Sequence, residues 1–141
     1  MSPKQSRWFL AGILITAGLV ITARSCRADA LDVAATQAQV EEILGVHVDA
    51  VPTLQFVAEL PWHDVGGYAD GKITISREAR EACWPLILAH EISHHIAIKG
   101  GMLRTIPNDR LALQAELARI AHVVEVRFVP YSPNCFDEGI S

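Results

Sequence analysis

Between Pro85 and the pair Gly100-Gly101 the chain reads LILAHEISHHIAIK, residues 86 to 99, and no other stretch limits the fold so tightly. Its length and the glycines after it predict one helix ending at Lys99, with Pro85 marking either a kink or a fresh start. At 100° per residue Leu88, Ile92 and Ile96 fall in one stripe, opposite the midpoint of His90 and His94, while Ile87 and Ile98 share the histidine side. A helix that is apolar nearly all round has to be enclosed by the rest of the domain. Histidines in such a helix need partners, because a buried polar group without one is costly.

The flanking sequence supplies the covering elements. LDVAATQAQVEEILG, Leu31 to Gly45, has helical spacing of Val33, Val40, Ile43 and Leu44, with Gly45 suited to the stop. Val51 to Leu60 reads as a strand, and in GGYADGKITIS the Asp70-Gly71 step predicts a tight hairpin turn. Ser76 is positioned to cap a helix over REAREA, and Asn108 or Asp109 to cap another reaching about Val126. The tail from Val129 is irregular. The expectation is an α+β fold: one compact domain over 31–141, with a small sheet or hairpin packed on the histidine helix and on the helix that follows. The chain's 141 residues, 50% of them hydrophobic, suffice for one such domain.

Residues 1–30 are read apart, as a signal peptide or signal-anchor helix. Trp8 to Ala23 is sixteen residues without a charge. That is short of the roughly 20 of a membrane span and longer than the roughly 7–15 of a signal-peptide core, so both readings stay open. Ala28-Asp29-Ala30 has the small-x-small pattern of a cleavage site, whereas Arg24 and Ser25 argue against lipid attachment at Cys26. The expected arrangement puts the domain on the extracytoplasmic side, exported or held at the membrane through residues 8–23. From Leu31 onward eight basic side chains face fifteen acidic ones, a formal charge of −7, which excludes nucleic acid as a natural partner. Cys83 and Cys135 are either a disulfide, as an exported domain permits, or two thiols.

His90-Glu91-Ile92-Ser93-His94 is the pattern HExxH. Residues four apart on a helix lie about 40° apart around the axis, so both imidazoles reach one ion while Glu91 stands on the flank, placed to touch a water there. A catalytic zinc site usually takes three protein ligands, so a third is needed. His95 points about 100° away, and Ala97 and Gly100 stand where a third ligand histidine's pattern needs glycine and histidine. Glu116 remains, on the helical wheel beside Leu113, Ile120 and Val123, with Arg110, Gln114 and Glu125 on a separate polar face. A carboxylate among apolar neighbours needs a cation, either the metal or Arg119 three residues on.

LAHEISHH followed by Glu116, 22 residues after His94, resembles the zincin metallopeptidases of the gluzincin branch, in a minimal form covering Gly66 to about Val126. The resemblance implies a zincin-like domain binding one Zn2+ through His90, His94 and Glu116. It implies an endopeptidase acting on peptide or protein substrates, with Glu91 as the general base that takes a proton from the attacking water and returns it to the leaving amine. Where the family places an acid four positions beyond its glutamate ligand, this chain has Ile120, so a carboxylate orienting a histidine must come from elsewhere. Tyr68, His122 and Tyr131 are the candidate donors for an oxyanion, and the hairpin edge is a candidate seat for an extended substrate. His47 and His63 are read as surface residues. The competing expectation is a zincin-like module that binds a peptide or partner without catalysis.

Overall fold

In the computed structural model residues 31–128 and 133–136 are described, and the apolar segment 8–23 lies outside them. The element order is α1 (Val33–Leu44), β1 (Thr53–Val57), β2 (Gly66–Ala69), β3 (Lys72–Ser76), α2 (Trp84–Lys99) and α3 (Arg110–Arg127). Single 310 turns stand at Pro61–His63, Glu81–Cys83 and Pro133–Phe136. The fold is α+β, as the sequence implies: among the described residues, three helices and a three-stranded sheet in the order β1-β3-β2. No helix among the described residues is long and apolar enough to cross a membrane.

α2 is the centre, packed by α1, α3, β2 and β3. Leu88, Ile92 and Ile96 are fully enclosed, as their stripe predicts, and meet Ile73 and Ile75 of β3 in one core with Val40 and Val124. Burying each such side chain stabilises the fold by about 1.5–3 kcal/mol, so this stripe sets the position of the helix. Trp84 begins the helix with Pro85 in its first turn, the fresh start rather than the kink.

The hairpin forms where Asp70-Gly71 predicts it, both residues having positive φ, and pairs β2 antiparallel to β3. β1 is shorter than the strand expected over Val51 to Leu60 and pairs parallel to β3, Thr53 opposite Lys72 through Val57 opposite Ser76. The helix expected over REAREA does not form. Ser76 is instead the last residue of β3, Arg77 N–H extends the ladder to the Val57 carbonyl at 2.8 Å, and the Ser76 hydroxyl accepts from Glu78 N–H at 3.1 Å. Ser76 thus makes a capping-type bond, but only a single turn follows it, with Ala79 N–H on the Ser76 carbonyl, before Arg80 takes an extended conformation at φ −62° and ψ 137°. Asp32 and Asp109 cap α1 and α3. Cys83 and Cys135 are joined by a disulfide that ties the chain beyond α3 to the start of α2.

Candidate metal centre

His90, Glu91 and His94 lie within one turn in the middle of α2. His90 Nε2 and His94 Nε2 are 3.2 Å apart. Two nitrogens on one tetrahedral zinc, each about 2.0–2.1 Å from it, stand about 3.3 Å from one another, so the pair has the spacing of two ligands to a single ion. One ligand-type atom each from His90, Glu91 and His94 falls within 4.8 Å of the others, and no further histidine, cysteine or acid among the described residues joins them. The Glu91 carboxylate is 3.9 Å from His94 Nε2 and is only 5% exposed.

Electrostatics suit the rings to a cation. His90 Nδ1–H donates to Glu125 Oε1, which leaves Nε2 as the lone pair facing His94. Burial by itself lowers His90, but the hydrogen bond to Glu125 and the charges of Glu91 and Glu125 outweigh it and leave the ring more basic than usual. His94 is pushed down to about 4, first by burial and then by His90, so it stays neutral and keeps its ligand lone pair at pH 7. Its Nδ1 is enclosed with no hydrogen-bond partner among the described residues, and its polar contacts are those of Nε2 with His90 and Glu91. Glu91 is raised to about 7, mostly by burial, with Asp64 and Glu125 adding to the rise and His90 opposing it. The donor set therefore fits a zinc-like ion: two imidazoles whose Nε2 lone pairs converge, with a carboxylate beside them.

Glu116 does not join this group. Arg119 Nε donates to its two carboxylate oxygens at 3.0 and 3.1 Å, and a second guanidinium N–H also reaches it. This hydrogen bonding holds the carboxyl below its ordinary range. Helix geometry gives the reason. Glu116 and Glu125 are nine residues apart on α3, which is two and a half turns, so they point to opposite sides. The buried face of α3 carries Ile120, Ala121 and Val124, with Glu125 reaching His90 from one flank of it and Glu116 lying on the other flank, beside Arg119. Glu125 is the residue that the sequence reading leaves on the solvent side.

His95 is 1% exposed and faces away from the pair: its Nε2 is 2.7 Å from the Ala50 carbonyl and its Nδ1 2.8 Å from the Tyr68 hydroxyl, which in turn accepts Gly71 N–H at 3.0 Å. Tyr68 is thus engaged in holding the hairpin to α2. His122 is exposed, with Nδ1 3.8 Å from the second Glu125 oxygen. Tyr131 lies outside the described residues. Gly66, which opens β2, runs so close to Glu91 that a Cβ there would stand 3.1 Å from its Oε2 and 2.7 Å from Ile87 Cγ2. β2 is an edge strand, so its outer backbone groups pair with no other strand among the described residues. No protein-family model, no curated protein and no solved structure matches this chain.

Proposed function

We propose that the domain is a zinc-dependent peptide hydrolase in which His90 and His94 bind the ion through Nε2 and Glu91 is the general base. The observation that carries this reading is the 3.2 Å approach of the two Nε2 atoms, with the His90 tautomer fixed from behind by Glu125. Bound there, zinc would supply the polarisation that makes water a nucleophile near neutral pH. Glu91 takes that water's proton at the carboxylate oxygen facing the histidines and delivers it to the leaving amine. Its separation of 3.9 Å from His94 Nε2 exceeds the roughly 3.3 Å between two ligands of one tetrahedral ion, which favours a base over a ligand. The burial that raises its carboxyl toward 7 suits a group that both takes and gives a proton at neutral pH. An extended peptide added to the open edge of β2 would pass beside it. The disulfide favours an oxidising compartment, in keeping with export or membrane attachment through residues 8–23.

One observation favours a second reading. With Glu116 held by Arg119, Glu91 is the remaining third donor among the described residues, and a closed site of His90, His94 and Glu91 would bind metal without catalysis. Glu91→Gln separates the two. A hydrolase loses peptide cleavage and keeps about one zinc per chain by elemental analysis. A closed binding site loses zinc along with the carboxylate.

A further inference from the structure

β2 reads Gly66-Gly67-Tyr68-Ala69, a strand with a single large side chain. Glycines weaken a strand, since they add backbone freedom and give nothing to pack, and a glycine-rich strand holds its position poorly. The ladder fixes β2 against β3, Gly66 opposite Ile75 and Tyr68 opposite Ile73. Against α2 the means are fewer. A Cβ at Gly67 would meet nothing within 4 Å and Ala69 is exposed, whereas Gly66 and Tyr68, two apart and so on one face, turn toward the helix. Gly66 has no side chain with which to grip it, so the attachment falls on Tyr68.

The Tyr68 hydroxyl is committed on both sides. The Ala50 carbonyl can only accept, so His95 Nε2 carries the proton in their 2.7 Å bond and His95 Nδ1 accepts from Tyr68 O–H at 2.8 Å. Tyr68 Oη in turn accepts Gly71 N–H at 3.0 Å, and the two rings meet edge to face with centroids 5.4 Å apart. With its proton given to His95, the hydroxyl has none to offer an oxyanion. The anchor is itself held from α1, because the Gln37 side-chain amide donates to the carbonyls of Val48 and Ala50 at 2.8 and 3.1 Å. His95 is one helical turn beyond Glu91, and Tyr68 is two residues beyond Gly66, which passes close against that same Glu91.

We propose that Tyr68 is a positioning residue for substrate: its hydroxyl pins β2 to α2 through His95, so that an extended peptide added to the outer edge of β2 runs past Glu91. The inference rests on the hydrolase reading for its peptide, and strand addition on a pre-ordered edge is the mode of binding it requires.

The test is binding of a fluorescein-labelled hexapeptide of alternating threonine and valine to the metal-free full chain in detergent, read by anisotropy. A second peptide of the same sequence, N-methylated at alternate residues so that it cannot pair as a strand, is expected not to bind. Tyr68→Phe keeps the ring and removes the hydroxyl, and should weaken the unmethylated peptide by about tenfold, the worth of one hydrogen bond in ordering the strand. Unchanged affinity in a folded Tyr68→Phe overturns the proposal, since a merely structural hydroxyl would alter the urea midpoint alone. Equal binding of the two peptides by wild type also overturns it. Hydrogen exchange of wild type stands independently of whether the variant folds: the Gly71 amide should exchange at least about 100-fold more slowly than an unstructured one, and exchange at the unstructured rate would show that the hydroxyl holds nothing. Because binding is read without metal or turnover, its failure is distinct from failure of the Glu91→Gln test.

Discussion

Glu125 accepts the hydrogen bond from His90 Nδ1 and so decides which nitrogen of that ring faces His94. A carboxylate behind a metal-binding histidine fixes its tautomer and strengthens it as a ligand, and losing it typically costs about 10–100-fold in metal affinity. Glu125→Ala should therefore weaken zinc binding by about that factor in a chelator competition. Glu116→Ala should leave zinc affinity unchanged and cost at most about 1 kcal/mol of stability, the worth of an exposed ion pair. The opposite ranking would mean that Glu116, not Glu125, serves the ion.

What could be read from the sequence was what is local. The apolar stripe on α2, the Asp70-Gly71 turn and the Asp109 cap each depend on residues a few positions apart, and each formed. The face of α3 is a tertiary choice. Leu113, Leu117, Ile120 and Val124 fall within about 60° of one another on the wheel, with Glu116 on one flank of that face and Glu125 on the other, so the wheel alone does not say which flank turns toward the histidines. A signal for Glu125 was nevertheless present. If Cys83 and Cys135 are joined, the C-terminal end of α3 must come back to the start of α2, and the acid near that end is Glu125, not Glu116. Ser76 shows the converse, a local capping signal that a single turn satisfies with no helix following.

The Glu91 carboxyl should cost the metal-free domain stability as pH rises toward neutrality. Burial raises the Glu91 carboxyl from its ordinary 4.5 to about 7 in the folded chain. Below pH 4 it is protonated in both states. Between 4.5 and 7 the folded chain keeps a proton that the unfolded chain gives up, so stability falls across that window, by about 3 kcal/mol in all. His94, pushed down to about 4, works the other way, its contribution being lost as pH falls from 6.5 toward 4, but it is common to wild type and variant. In urea unfolding with chelator present, Glu91→Gln should match wild type at pH 4 and exceed it by about 3 kcal/mol at pH 8. Equal stability at pH 8 would show that the buried carboxylate has found compensation.

Removing the disulfide should act on both the fold and the ion. Cys83 and Cys135 are 52 residues apart in sequence, and a crosslink of that span restricts the unfolded chain by about 4 kcal/mol. It also pins the chain after α3 to the start of α2, the two ends that Glu125 and His90 bridge. Cys83→Ser with Cys135→Ser should lower the unfolding free energy by about that amount and weaken zinc binding, less than Glu125→Ala does. Unaltered zinc affinity in a destabilised but folded variant would mean that helix packing alone holds Glu125 in place.

The closeness of β2 to Glu91 gives a variant that separates the base from the ligands. At Gly66 an added Cβ would stand 2.7 Å from Ile87 Cγ2, with Glu91 Oε2 and Cγ at 3.1 and 3.3 Å, whereas at Gly67 it would meet nothing within 4 Å. Ile87 is enclosed by the core and cannot retreat, so Gly66→Ala must push β2 outward or turn the Glu91 carboxylate. Overpacking of this kind costs about 1–3 kcal/mol. The three atoms nearest to that Cβ belong to Ile87 and Glu91 and not to a histidine, so zinc content should be kept while peptide cleavage falls steeply, and Gly67→Ala should change neither. Loss of zinc in Gly66→Ala would show instead that the ion itself depends on where Glu91 stands, as a closed site of two histidines and a glutamate requires.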